Sequence, residues 1–438
     1  MNKITFKIRL IIYSLALITS ISSNANAGGY STSLYSTSGL GNAYSGSTTG
    51  SHDVSDIFFN PAVTAGKDKS EIIASFSYLR LAIDPDNVSS NFIAGKRDGA
   101  ESRNVGTQKL IPALYFSSPI NDKMAFNLAI TSPFGLETKY NKNWPGRFRA
   151  INSSISTLNL NPSLAYKLTN DLSFGAGLVA QYYTANLTKE VFTSQTTTGL
   201  GTVDGSDWGY GYNFGFKYDI SKDLKVGLGY RSKIDYKLKG NVDVNDNLLA
   251  SKFKAKTTTP ESMSLGVAYN VNSDLQIVAD STWTRWSRLK KLDVVAQNAL
   301  LSSSTQFNWN DSYLNSVGAN YALNKNNLLR TGLAYEIEAI NNRNREPRVP
   351  SSDKYWITAG LNHKLGDGFE VDLAYVHQIY KTAKINIADY GTNGLEGSVT
   401  GKYKTSVDVV SVALKKTILI TYEDGARTRP KKQWINSA

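Results

Sequence analysis

The feature that most constrains this chain is an alternation of period two that returns along most of its length. In STLNLNPSLAYKL, residues Leu158, Leu160, Leu164, Tyr166 and Leu168 point to one side. Asn159, Asn161, Ser163, Ala165 and Lys167 point to the other. That is the periodicity of an extended strand, whose successive side chains face opposite ways. The pattern recurs in LKVGLGYRSKIDYKL, SMSLGVAYNV, NLLRTGLAYEIEA and FEVDLAYVHQIY. One face is apolar and aromatic, the other small, polar or charged. A soluble sandwich would turn the apolar face onto a shared core. A membrane barrel would turn it to lipid around a polar lumen.

The N-terminus bears on that choice. Lys3, Lys7 and Arg9 precede an apolar run from Leu10 to Ile21, and Ala25-Asn26-Ala27 follows. A basic start, a short apolar stretch and an A-x-A site read as a cleaved secretory signal over 1–27. The run of about 12 residues is too short for a spanning helix, which needs roughly 20. Losing its three cations with the leader lowers the formal charge from +12 to +9. With no cysteine, an exported chain of 438 residues has no disulfide framework and must rely on its ladders and packing. No later stretch is apolar enough for a transmembrane helix, while 25 Tyr and 7 Trp make the chain rich in aromatics.

Counting strands decides for the barrel. Fourteen are expected, from one near 70–82 to one near 403–416, with the third at 123–132, the seventh at 223–239 and the eighth at 259–271. An even number suits a bacterial barrel. So does the alternation of short turns (PINDK, LTNDL, ISKDL, VNSDL, LNKNN, LGDGF) with long polar stretches. The expected fold is a 14-stranded antiparallel transmembrane β-barrel over 67–416 in the bacterial outer membrane. Residues 28–66 do not alternate; they are rich in Gly and Ser around Ile57, Phe58 and Phe59. This segment is either a disordered periplasmic leader or a plug inside the lumen. A barrel this wide leaves an aqueous hole unless something fills it, and the segment's aromatics favour burial, so a hatch is expected. The tail at 417–438 alternates poorly and ends in alanine. It is read as a periplasmic extension or the product of a shifted reading frame.

SGLGNAYSG followed by IFFNPA resembles the N-terminal hatch of the FadL family of outer-membrane transporters for hydrophobic compounds. The likeness continues through PINDKMAFNLAITSPFGL, LGYRSKI, PESMSLGVAY, TWTRWS and NRNREPRVPSSDKYWITAGL to about residue 415. It implies hatch roles for Phe58, Phe59, Asn60, Pro61 and Ala62. It also implies a kink in the third strand that leaves a hole in the wall; Pro133, Phe134 and Gly135 stand at the matching position. Proline has no N–H for the ladder and glycine permits unusual dihedrals, so a lateral gate is expected there. An apolar solute would leave sideways into the membrane by passive diffusion.

The resemblance places Lys189 where a fatty-acid-binding arginine stands in the family. The second family cation precedes an Asp-x-Tyr element; here Asn310 precedes Asp311-Ser312-Tyr313. The expected substrate is a long-chain fatty acid, and this departure keeps uncharged aromatic or alkyl hydrocarbons as the alternative. Arg147, Arg149, Trp283, Arg285, Trp286 and Arg288 mix basic and aromatic groups near the outer loops, suited to capturing solute. Arg285, Arg288, Lys290 and Lys291 equally suit lipopolysaccharide phosphates. Other expected partners are outer-membrane lipid and the barrel assembly machinery; the barrel is expected to be a monomer without nucleic-acid partners. With only His52, His363 and His377, and no H-x-x-x-H pair, G-x-S-x-G elbow or cysteine cluster, neither enzyme, metal nor cofactor is expected. A structural porin or phage receptor is disfavoured by the plug.

Overall fold

The computed structural model describes residues 29–92, 95–97, 99–194, 196–245, 248–388 and 396–419; the leader at 1–27 and the tail beyond 419 lie outside them. Strands from Lys69 to Leu419 form one antiparallel sheet closed on itself. Its first strand, Lys69–Phe92, pairs with its last, Ser398–Leu419, from Lys69↔Leu419 to Asn91↔Ser398. Closure removes the free edges that lipid cannot satisfy. Fourteen segments cross the wall, several of them in two pieces. Among the described residues no helix is long and apolar enough to cross a membrane.

Short turns at one end share a chemical device. Asn121, Thr169, Ser221, Asn272 and Asn324 each accept a hydrogen bond from the backbone N–H three residues on, the local bonding that favours Asn, Ser and Thr in turns. The sixth uses left-handed backbone at Gly366, Asp367 and Gly368.

The two faces separate as a barrel requires. Leu158, Leu160, Leu164, Tyr166 and Leu168 are exposed on the outside; Asn159, Asn161 and Ser163 are buried within. The lumen holds Gly29–Gly66, which includes a short helix, Thr37–Gly41, and two 3-10 turns, Val54–Phe58 and Pro61–Thr64. Ser36, Asp53 and Asn60 cap these three turns by accepting Gly39, Ser55 and Ala62 N–H groups.

Two regions depart from the expected strand limits. Residues 240–244 and 249–258, expected within a loop, extend the seventh and eighth strands as a ladder of Ile234–Val244 with Leu249–Thr259. Here the pattern inverts: Leu238, Val242 and Phe253 face inward, and Lys237 and Lys239 stand opposite Lys256 and Lys254 on the exposed outside. A strand that has risen beyond the apolar band no longer needs an apolar outer face, so the stripe used to find strands is missing. Both strands are interrupted side by side, at Ser232-Lys233 and Pro260-Glu261.

Candidate functional site

The third strand breaks at the Pro-Phe-Gly sequence. Its first part, Met124–Thr131, pairs with neighbours on both sides. Its continuation, Gly135–Lys139, pairs with the fourth strand alone. The ladder between second and third strands ends at Leu114↔Ile130. Farther along, Lys139 N–H donates to Val105 O at 3.0 Å. Between those points the second and third strands are not paired among the described residues, and a Lys109–Glu137 ion pair at 2.7 Å crosses this unpaired window.

The hatch supplies what the broken edge lacks. Ser31 bridges Phe134; Thr32 N–H donates to Pro133 O at 3.0 Å, and Gly135 N–H to Tyr30 O at 2.8 Å. Thr157 on the fourth strand donates to Phe134 O at 2.8 Å and accepts its N–H at 3.0 Å. Backbone groups facing apolar surroundings must find partners, and here the N-terminal arm stands in for a missing strand. Tyr30 packs between Phe134 and Trp286, with ring centroids 5.9 and 4.8 Å away, and Trp309 adjoins them.

The body of the hatch is seated on the closed wall. Asn60 Nδ2 donates to Thr48 O at 2.7 Å and to Phe216 O at 2.8 Å. Asp280 accepts from Gly46 N–H at 2.6 Å, from Thr48 N–H at 3.1 Å and from the Thr48 hydroxyl. Close approach requires glycine at Gly215 and Gly229: a Cβ there would lie 2.1 Å from Asn60 Oδ1 and 2.0 Å from Phe59 O. Pro61 and Ala62 lie against Gly175 in the same way, and Phe58 and Phe59 pack with Tyr35.

Two cavities adjoin these parts. A luminal one of about 90 Å³ is lined by Phe58, Phe134, Arg231 and Trp286 among others, and so lies between hatch and window. A larger one of about 590 Å³ opens at the long-loop end, walled by Phe148, Phe192, Val242 and Leu292, with Leu248 and Leu300 70% and 86% exposed beside it. Lys189, Arg348 and Glu396 form its polar side.

Lys189 is bonded to Glu396 at 2.5 Å. Burial pulls the Arg348 guanidinium below its ordinary value, against the opposing pull of Glu346 and Glu396. Asn310 is exposed, donates its N–H to Ala339 O and lies outside both cavities, so the structure does not bring it together with Lys189. The proposed capture residues divide similarly. Arg147 pairs with Glu190, and Arg149 is buried against Glu346 and Glu396 at 3.2 and 3.5 Å. Arg285 and Arg288 share Glu261, and Trp283 donates to Asp311 at 2.9 Å. Trp286 is buried against the hatch arm instead of lining the outer surface. Arg231, a luminal cation, carries little local mark in LGYRSKI: it is a charge on the lumen-facing side of its strand, where Lys225, Gly227 and Gly229 precede it on the same face.

A profile described as outer membrane protein transport protein (OMPP1/FadL/TodX) matches residues 18–417. The long-chain fatty acid transport protein of Escherichia coli K12 is 26% identical over 415 residues, covering 84% of this chain and 92% of that one. Outer membrane protein P1 of Haemophilus influenzae Rd is 27% identical over 419 residues, covering 86% and 91%. Among solved structures, a FadL homologue of Pseudomonas aeruginosa superposes with a TM-score of 0.83 at 22% identity, covering 89% of this chain and 99% of that one. The toluene transporter TodX of Pseudomonas putida superposes at 0.67 with 16% identity, covering 89% and 100%. A closed 14-stranded barrel, a stoppered lumen and a profile match spanning nearly the whole chain place this protein in the OMPP1/FadL/TodX family of outer-membrane transport proteins.

Proposed function

We propose that this protein carries long-chain fatty acids across the outer membrane by passive diffusion, releasing them sideways through the window in the third strand. The observation that carries this reading is the joining of window, hatch arm and luminal cavity at Phe134. Solute gathers in the apolar pocket at the long-loop end, whose exposed leucines suit an alkyl chain. It passes to the lumen as the hatch shifts and leaves between the second and third strands. No step calls for covalent chemistry, so the role is not enzymatic. The fatty acid transport protein of E. coli, similar over most of its length, supports this substrate class.

Uncharged hydrocarbons are the second reading. It is favoured by the Lys189–Glu396 pair, because a carboxylate of this chain already occupies the cation that a fatty acid would need. On the outside, directly opposed lysines repel unless anions sit between them. The ladder formed by Lys237, Lys239, Lys254 and Lys256 therefore suits lipopolysaccharide phosphates.

The test is uptake of labelled oleate and labelled toluene by transporter-deficient cells expressing the protein or its Gly135→Arg variant, with barrel folding checked by heat-modified gel mobility. Oleate uptake abolished in a folded variant is the expected result. Uptake of toluene alone moves the reading to hydrocarbons. Undiminished uptake in the variant removes the lateral exit.

A further inference from the structure

We propose that Arg231 docks the carboxylate of an amphiphilic substrate inside the lumen, and that docking releases the hatch. This rests on the fatty-acid reading above and gives it a trigger. Arg231 ends the lower half of the seventh strand, just before the interruption at Ser232-Lys233. Its guanidinium donates to the hatch carbonyl of Phe58 at 2.9 Å and to Asn161 Oδ1 at 3.1 Å, and lies 4.3 Å from the centre of the Phe58 ring. All three partners are neutral. Arg231 takes part in no ion pair among the described residues, and Glu336, the acid lining the same cavity, is held by Lys354 at 3.2 Å.

A partly buried cation served only by neutral acceptors is a poor arrangement when a carboxylate is offered. Charge-assisted, bidentate bonds to a carboxylate are roughly twice as strong as bonds to a neutral carbonyl. Both bonds leave Arg231 from Nη1, so a carboxylate that engages Nη1 together with Nη2 competes with Phe58 O and Asn161 Oδ1 at that nitrogen. Losing Arg231 frees the Val54–Phe58 turn on its inner side. The cavity needs this change: about 90 Å³ is far below the roughly 300–1,000 Å³ of an ordinary ligand pocket. Phe134 and Trp286 line the same space, so a headgroup held at Arg231 places its alkyl chain toward the window.

Because the chain has no cysteine, one spin label on Ser51→Cys reports hatch mobility in the full-length protein in lipid nanodiscs. Oleate is expected to mobilise the label and methyl oleate is not. Oleate should bind at least ~10-fold more tightly than its ester, the lower end of what hydrogen bonds to a charged group contribute. In Arg231→Gln that ratio should fall to near one, and Arg231→Lys should restore part of it. Equal mobilisation by oleate and its ester in the unsubstituted protein overturns the proposal, as does a ratio that survives in Arg231→Gln. If Arg231→Gln does not fold, the comparison of acid and ester in the unsubstituted protein decides. Cells that take up neither oleate nor toluene would sink the transport reading as well; cells that take up both, with a hatch indifferent to the carboxylate, sink this inference alone.

Discussion

The two ends of the hatch are held in unlike ways. Its body, from Asn42 to Thr64, is tied to unbroken wall by side chains: Asn42 donates to Ala319 O and Thr331 O, Asn60 to Phe216 O, Thr64 to Asn127, and Asp280 accepts from Gly46 and Thr48. Its arm, Tyr30–Thr32, is tied by backbone bonds to the break in the third strand. The wall under the body is complete without the hatch. The edge at Pro133–Gly135 is not, and withdrawing the arm leaves its polar backbone without those partners. Any movement of the arm therefore strips Pro133–Gly135 of partners, whereas the body is held by side chains to wall that is paired without it.

Several substitutions sharpen this contrast. The largest effect is expected at Gly229→Val, where the added side chain meets Phe59 O. Overpacking of this kind costs about 1–3 kcal/mol or more. The displaced body should raise single-channel conductance in planar bilayers. Of comparable size is Asp280→Ala, which strands the Gly46 and Thr48 donors, each unsatisfied group costing about 1–3 kcal/mol. A lower unfolding temperature and intermittent openings are expected, and a silent channel would show that the body does not depend on this carboxylate. A smaller change is expected for Thr157→Val, which removes the wall-side partner of Phe134 at the window. It should speed hydrogen exchange at the Phe134 amide and leave conductance near that of the parent. Equal disturbance of the body would erase the distinction between the two ends. The smallest belongs to Lys109→Met. The Lys109–Glu137 pair is about a quarter exposed on each side, and such surface pairs contribute about 0–1 kcal/mol. A modest rise in uptake, muted by added salt in the parent protein, is the expected result.

The barrel was legible because lipid imposes one rule on every crossing, an apolar residue at each second position, and turn residues punctuate the crossings. The break in the third strand was legible for a related reason: proline and glycine announce it locally. The strand extensions at 240–244 and 249–258 escaped because the rule lapses beyond the apolar band. Site residues were harder. Lys189 looked available because its partner, Glu396, lies 207 positions away. Trp286 looked like an outer-loop aromatic because nothing in TWTRWS shows that Tyr30 reaches it. Arg231 bears no local mark, because a lumen-facing charge is ordinary until its partners are known.

The sequence by itself therefore determined the strand count, the outward face and the position of the break, each set by the periodicity or backbone chemistry of a few consecutive residues. What fills the break, which cations are already neutralised, and that Arg231 sits beside neutral acceptors are properties of the folded chain alone. Those depend on pairings across a closed wall, where residues hundreds of positions apart become neighbours and local patterns carry no record of the partner.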